Sequence, residues 1–127
     1  MKNLTKPTES ELEILKILWE SGPSTVRFVN AKLAIKKDVG YTTTLKLMQI
    51  MTEKGLVSRN EEDRTHIYSA VIQEKETKTL ILDKMVDSIF GGSATKLVMQ
   101  VLGDKKTTIE ELRELREYLD KIEREQK

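Results

Sequence analysis

The sequence predicts a mainly α-helical protein that contains one small β-hairpin. Two patterns support this fold class. Apolar residues recur at helical spacing in six segments, and capping or helix-breaking residues bound these segments. Two short segments that favour strands follow the third helical segment, with a polar turn between them. A chain of 127 residues can bury a core without a disulfide or a metal, and this chain has no cysteine.

The first helix is predicted over residues 9–21. Thr8 is a good N-cap, and Glu11 follows three residues later, which makes a capping box. Leucines, isoleucines and Trp19 then follow at helical spacing, so we expect Trp19 to lie in the core. The segment 21–23, Ser-Gly-Pro, ends the helix because glycine and proline disfavour a helix interior.

The second helix is predicted to open at Ser24 or Thr25 and to end near residues 36–38. Both opening candidates carry a hydroxyl that can accept a hydrogen bond from the first turn. Apolar residues at helical spacing follow them. These apolar residues are Val26, Phe28, Val29, Leu33 and Ala34.

The third helix is predicted to follow a chain break at Gly40. Thr42 is its expected N-cap, and the helix runs to Lys54. Gly55 follows at the position where a left-handed residue commonly ends a helix. The first turn of this helix is therefore rich in hydroxyl groups.

A β-hairpin is predicted from segments 56–59 and 65–71, which flank the polar turn 60–64. Three helices followed by a hairpin is the order of a winged helix-turn-helix domain. We assign residues 1–73 to this domain. A winged helix of this kind places its third helix in the major groove of DNA.

Residues 74–127 are predicted to add three helices. The fourth helix covers about 74–90 and stops at the Gly-Gly pair 91–92. Ser93 caps a short fifth helix, and a loop is expected over 103–106.

The sixth helix is predicted to run from a second capping box, Thr108 with Glu111, to about residue 124. It carries one apolar stripe on an otherwise charged surface. The last three helices expose apolar faces too wide for this chain to cover, so a homodimer related by a two-fold axis is expected. The alternative is that these helices fold back on residues 1–73. The expected dimer contacts are Leu82, Met85, Ile89, Leu97, Val101, Leu112, Leu115, Leu119 and Ile122.

The outward face of the third helix and the flanks of the hairpin hold the candidate DNA contacts. Threonine hydroxyls and methyls suit base edges, Lys46 suits guanine or a phosphate, and Gln49 suits adenine. Arginines beside the hairpin suit phosphates or a minor groove. The alternatives are a solvated polar helix face and ordinary surface ion pairs. The expected contacts are Thr42, Thr43, Thr44, Lys46, Gln49, Arg59 and Arg64.

Other classes of function have little support in the sequence. The single histidine, His66, has no nearby ligand cluster and no paired nucleophile, so neither a metal site nor catalysis is expected. The Gly-Gly pair 91–92 lacks the lysine of a phosphate-binding loop, and no cofactor is expected. No apolar run approaches the ~20 residues of a membrane span, and the N-terminus lacks a signal-peptide core. We therefore expect a cytoplasmic protein without membrane insertion, whose net charge of +1 argues neither for nor against DNA.

Four blocks in order resemble the penicillinase-repressor family, which includes BlaI, MecI and the related copper repressor CopY. The resemblance covers nearly the whole chain, and the order of the blocks is more specific than any one of them. The blocks are Thr8 to Trp19, Gly40 to Thr44, Glu53 to Val57, and Arg64 ahead of Tyr68.

The resemblance implies a homodimeric repressor that binds a palindromic double-stranded DNA operator. It implies that the third helix reads the major groove through Thr42, Thr43, Thr44 and Lys46, and that residues 74–124 form the dimer. In the antibiotic-resistance branch, a membrane sensor metalloprotease triggers cleavage between the dimerisation helices. This chain has Gln100 and Val101 where the best-known members have an Asn-Phe pair. The cysteine motif of the copper branch is absent.

A second function remains open from the sequence. Winged helices also serve as protein-interaction modules, and the near-neutral charge suits that function. Binding to promoter DNA that weakens steeply with salt distinguishes a repressor from such a module.

Overall fold

The computed structural model describes residues 6–61 and 64–126 and has the expected mainly α-helical architecture with one hairpin. Two residues of the predicted hairpin turn, 62 and 63, lie outside the described residues, as do residues 1–5 and 127. The elements in chain order are α1 (Glu9–Ser21), α2 (Val26–Ala34), α3 (Tyr41–Lys54), β1 (Val57–Asn60), β2 (Ile67–Ala70), α4 (Glu74–Ile89), α5 (Ala94–Asp104) and α6 (Ile109–Glu125).

The predicted caps of four helices are confirmed. Both capping boxes form, with the side chains of Thr8 and Thr108 accepting hydrogen bonds from the third residue of their helices. Thr25 caps α2 by accepting a hydrogen bond from the amide of Phe28. Ser93 caps α5 in the same way. These helix starts were predictable because each depends on residues only three positions apart.

The start of α3 differs from the prediction. Gly40 is the N-cap and offers no side chain, so Thr42 lies inside the first turn. The physical reason is tertiary, since hydrogen bonds from α2 fix this turn in place of a local cap. At the other end, Gly55 has φ +83° and adopts the expected left-handed conformation.

The predicted loop 103–106 is also partly wrong. Gly103 and Asp104 complete α5, and Lys105 is the C-cap. A single glycine in a helix costs only about 1 kcal/mol relative to alanine, which does not force the helix to end.

The core of the winged domain lies between α1, α2, α3 and the hairpin. Trp19 packs against this core, partly buried, and its indole N–H donates a hydrogen bond to the Ile72 carbonyl at 3.0 Å. That bond ties α1 to the segment after β2. The buried apolar residues are Ile14, Leu15, Leu18, Val26, Val29, Leu33, Met48, Met51, Leu56, Val57 and Tyr68.

The hairpin is attached to the helices by more than side-chain packing. β1 and β2 pair antiparallel, with Arg59 opposite Tyr68. Ser24 extends this ladder from the α1–α2 connection. Its amide donates to the Tyr68 carbonyl at 2.9 Å, and its carbonyl accepts from the Tyr68 amide at 2.8 Å. The wing, defined here as β1 and β2, is therefore held at a fixed place beside the α1–α2 connection.

The chain divides into two compact units, one ending at Leu82 and the other beginning at Asp83. The first unit includes the beginning of α4, where Thr77 is buried and its hydroxyl donates to the Gln73 carbonyl at 2.7 Å. In the second unit, α5 and α6 contain no buried residue.

Candidate nucleic-acid interface

The outward face of α3 is polar and accessible. Thr42, Thr43, Lys46 and Gln49 are all exposed to solvent. The opposite face packs its methionines into the core of the winged domain. Because the apolar stripe of an amphipathic helix must be buried, it determines which side chains point outward. The four polar side chains therefore project together from one surface.

The structure contradicts the prediction that Thr44 contacts DNA. Its side chain is fully buried. Its hydroxyl accepts a hydrogen bond from Asn30 Nδ2 at 2.9 Å and donates to the Gly40 carbonyl at 3.3 Å. Thr44 lies one helical turn before Met48 on the inward face, which explains its burial. Thr44 therefore anchors α3, and we remove it from the candidate DNA contacts.

The C-terminal end of α3 is anchored by an ion pair to α1. Lys54 Nζ lies 2.8 Å from Glu11 Oε2, and the Glu11 side chain is only 2% exposed. Burial acts to raise the pKa of Glu11, but the hydrogen bonds from Lys54 and from the Thr8 amide outweigh it and lower the pKa. The carboxylate is charged at neutral pH and holds both the start of α1 and the end of α3.

In the wing, Arg59 was predicted to contact DNA, but its side chain is partly buried and paired with Glu61. Its side chain is 27% exposed and lies 3.0 Å from Glu61 Oε2. Interaction with the Tyr68 hydroxyl, and then with Glu61, raises its pKa. Arg59 Nε and the Tyr68 hydroxyl are both buried and have no partner in hydrogen-bonding geometry within the described part of the chain. The Nη2 group of Arg59 is thus engaged with Glu61 at the end of β1.

Arg64 is exposed and borders a cleft beside α3. The cleft has a volume of about 490 Å³ and lies where the N-terminal ends of α2 and α3 approach the start of β2. It combines two arginines with hydroxyl and imidazole groups, a combination that suits a phosphate. Its polar lining includes Thr25, Arg27, Tyr41, Arg64, Thr65 and His66.

Arg27 and Tyr41 are interface candidates that the sequence reasoning did not identify. Arg27 is exposed in the first turn of α2, and Tyr41 is the first residue of α3 and is 48% exposed. The available signal was the position of a basic residue in the first turn of the helix before the recognition helix. The cleft itself joins residues from three separate elements, which spacing along the chain does not reveal.

The predicted dimer contacts all lie on surfaces that the chain leaves partly or fully accessible. Ile89 is 70% exposed and Leu119 is 62% exposed. The others with high exposure are Leu82 at 48% and Val101 at 46%. Met85, Leu97, Leu112, Leu115 and Ile122 are of intermediate exposure.

Two further observations concern other kinds of site. Across the described ranges 6–61 and 64–126, no group of three or more acidic, histidine or cysteine side chains is arranged to hold a metal ion. Within the same ranges, every helix is too short or too polar to cross a bilayer.

A family model described as Penicillinase repressor matches residues 7–121. The chain belongs to the penicillinase repressor family. The match begins just before α1 and ends within α6. The family assignment from the four sequence blocks is thereby confirmed.

Two individual members of the family share between a fifth and a third of their aligned residues with this chain. The chain is 33% identical over 90 residues to the transcriptional regulator BlaI of Mycobacterium tuberculosis, which covers 70% of this chain and 63% of that protein. It is 20% identical over 114 residues to the methicillin resistance regulatory protein MecI of Staphylococcus aureus, covering 90% and 93%. The match therefore spans less than two thirds of the mycobacterial relative.

A solved structure supports the winged fold. The solution structure of the DNA binding domain of the repressor BlaI superposes with a TM-score of 0.52 at 22% sequence identity. It covers 60% of this chain and 93% of the solved chain. The predicted winged helix-turn-helix fold is therefore confirmed.

Proposed function

We propose that this chain is a DNA-binding transcriptional repressor. The observation that carries the proposal is the exposed polar face of α3, flanked on one side by the cleft with Arg27 and Arg64. Membership in a family whose relatives are named repressors and regulators supports the same reading. The test is a gel shift with a fragment that carries the promoter of its own gene. Affinity should fall steeply as salt rises, whereas a protein-interaction module would leave the fragment unshifted.

The proposed contacts divide into base readers and phosphate binders. Thr42, Thr43 and Gln49 are short or amide side chains suited to base edges. Lys46 lies on the same face and reaches either guanine or a phosphate. These four side chains are accessible without any rearrangement of α3.

Phosphate contacts are assigned first to Arg27 and Arg64 in the cleft. Both are exposed and line the cleft, so they reach a DNA backbone without leaving a buried position. Arg59 has a smaller part, because it must leave Glu61 before it binds a phosphate. Phosphate contacts hold the protein in register and carry no sequence information themselves.

We propose that the repressor acts as a homodimer on a palindromic operator. The support is the accessible apolar surface of α4, α5 and α6. Leu82, Val101 and Leu119 are among its exposed side chains, and neither α5 nor α6 contains a buried residue. Two copies joined there would present two α3 helices to half-sites about 10 bp or a multiple apart. Sedimentation of the full chain tests the dimer, and a footprint on the shifted fragment tests the spacing.

The functional division that we propose keeps residues 1–73 as the DNA-binding part and 74–127 as the dimerisation part. It differs from the contact boundary after Leu82 because α4 begins within the first compact unit. A helix that starts in one unit and continues into the other suits a connection that transmits the state of the dimer to the winged domain.

Control of this repressor is proposed to act through α5. Gln100 and Val101 both lie exposed on this helix, and Gln100 Nε2 donates to Asp104 Oδ2 at 2.7 Å. Cleavage there, triggered by a membrane sensor metalloprotease, would separate α6 from the winged domain. Co-expression with a membrane sensor metalloprotease, followed by mass spectrometry of the repressor, tests for cleavage between Gln100 and Val101.

A further inference from the structure

One side-chain amide bridges the turn that opens the recognition helix. Asn30, on α2, donates through Nδ2 to the Val39 carbonyl at 3.1 Å and to Thr44 Oγ1 at 2.9 Å. Val39 lies just before α3, and Thr44 lies at the end of its first turn. The amide therefore holds both sides of the segment that contains the exposed Thr42 and Thr43.

This bridge fixes the start of a helix that has no side-chain cap. Gly40 provides no side-chain hydrogen bond at the N-terminus of α3. Thr44 passes the interaction on, because its hydroxyl donates to the Gly40 carbonyl at 3.3 Å. The sequence of bonds is amide to hydroxyl to carbonyl, so both amide protons of Asn30 and the one hydroxyl proton of Thr44 are used.

We propose that Asn30 is a positioning residue for DNA recognition, acting through Thr44 to set where the exposed threonines of α3 meet the bases. The proposal rests on the proposed function. Hydrogen bonds to base edges depend strongly on distance and angle, whereas long side chains adjust to phosphates. A shift of the first turn of α3 therefore lowers discrimination between DNA sequences more than it lowers general DNA binding.

The experiment separates the hydroxyl from the shape of Thr44. Thr44→Val keeps the shape and removes the hydroxyl, and Thr44→Ser restores the hydroxyl. Asn30→Asp keeps the shape of the amide and removes both donors. Thr52→Val is the matched control, because the Thr52 hydroxyl donates only to the Met48 carbonyl at 2.8 Å, near the other end of α3.

The probes are a duplex selected from a random-sequence pool by the wild-type full chain, and a scrambled duplex of the same composition. The measured quantity is the ratio of the two affinities, at a temperature where circular dichroism shows each variant folded. Thr44→Val and Asn30→Asp should lower this ratio by about tenfold, the scale of one mismatched base pair. Thr44→Ser should recover most of the ratio, and Thr52→Val should leave it unchanged.

A loss of stability with an unchanged ratio in Thr44→Val would overturn the proposal, since the bridge would then be structural only. An equal loss of affinity for both duplexes would overturn it as well. If Asn30→Asp does not fold, the Thr44→Val and Thr44→Ser pair decides alone. Failure of the wild-type chain to enrich any duplex is a different result, which contradicts the proposed function itself.

Discussion

The two units of this chain differ in how far their apolar side chains are buried. In the first unit, residues such as Ile14, Leu15 and Met48 are fully buried. In the second unit, Ile109 is 73% exposed and Leu119 is 62% exposed. A unit with a closed core folds on its own contacts, whereas exposed apolar stripes on helices are typical of surfaces that another chain covers. This contrast supports the proposal that the first unit binds DNA and that the second pairs with a partner copy.

The capping boxes repeat this contrast at the level of single residues. Glu11 and Glu111 make the same local motif with Thr8 and Thr108. Glu11 is buried and pairs with Lys54, whereas Glu111 is exposed. The pKa of Glu111 is lowered by hydrogen bonds with Thr108, first with its amide and then with its hydroxyl. One local motif is therefore integrated into a tertiary core in the first unit and remains local in the second.

The largest expected effect comes from placing a charge in the exposed stripe of α6. Leu115→Asp should dissociate the dimer, because a carboxylate in an apolar seam is costly unless paired. Operator affinity should then fall by about two to four orders of magnitude, since the second half-site contact is no longer intramolecular. Sedimentation and gel shift measure the two effects. Arg116→Asp, at the neighbouring exposed position, is the control, and an intact Leu115→Asp dimer would refute the assignment of this stripe.

The next largest effect is on the stability of the first unit, when a core side chain is shortened. Met51→Ala should lower the free energy of unfolding of the winged domain by about 2–5 kcal/mol, because it leaves a cavity in a closed core. Met99→Ala in α5 is the matched control, since Met99 is 68% exposed. Chemical denaturation measures both. Equal losses in the two variants would contradict the contrast between the units.

The buried ion pair predicts a pH dependence. The folded-state pKa of Glu11 is lowered from 4.5, so its contribution to stability is present above that value and is lost as pH falls through the lowered pKa. Glu11→Gln should cost about 1.5–3 kcal/mol at neutral pH, the range for a hydrogen bond to a charged group. It should also flatten the acid limb of the stability curve.

Denaturation between pH 3 and pH 7 measures this dependence. Glu111→Gln is the matched control, because Glu111 makes the same motif but is exposed, whereas Glu11 is buried against Lys54. Its effect should be smaller than that of Glu11→Gln. A Glu11→Gln curve parallel to that of the wild-type chain would remove Glu11 as the source of the acid limb.

The smallest expected effect is at Lys46. Lys46→Ala should leave stability unchanged, because the side chain is exposed. If Lys46 contacts a phosphate, binding should weaken uniformly across sequences and the salt slope should fall by about 1. If it contacts guanine, discrimination at one position should relax instead. Gel shifts at several salt concentrations separate the two, and unchanged binding would take Lys46 out of the interface.

Local signals made much of the fold predictable. The capping boxes, the caps at Thr25 and Ser93, and the left-handed Gly55 each depend on residues within a few positions. The start of α3 was not predictable in this way, because Asn30 fixes it from ten residues upstream of Gly40. A hydroxyl-rich first turn favoured Thr42 as a cap, and the tertiary bonds overrode that preference.

The candidate site was predictable only for residues that share one face of a helix, because helical spacing determines which side chains lie together. Helical spacing placed Thr42, Thr43, Lys46 and Gln49 together, but the same spacing places Thr44 with the methionines, and its burial excludes it from the DNA surface. Arg27 joins the site through a cleft between three elements. Such a cleft depends on how the elements pack, which a pattern along one helix does not contain.

The central claim is that the outward face of α3 reads DNA. The most direct measurement is an NMR titration of the isotope-labelled full chain with a duplex that the chain itself has selected. The account predicts that the largest shift changes fall on the amides of Thr42, Thr43, Lys46 and Gln49, with a second group at Arg64. Changes confined to α1 or α6, with those amides unmoved, would contradict it.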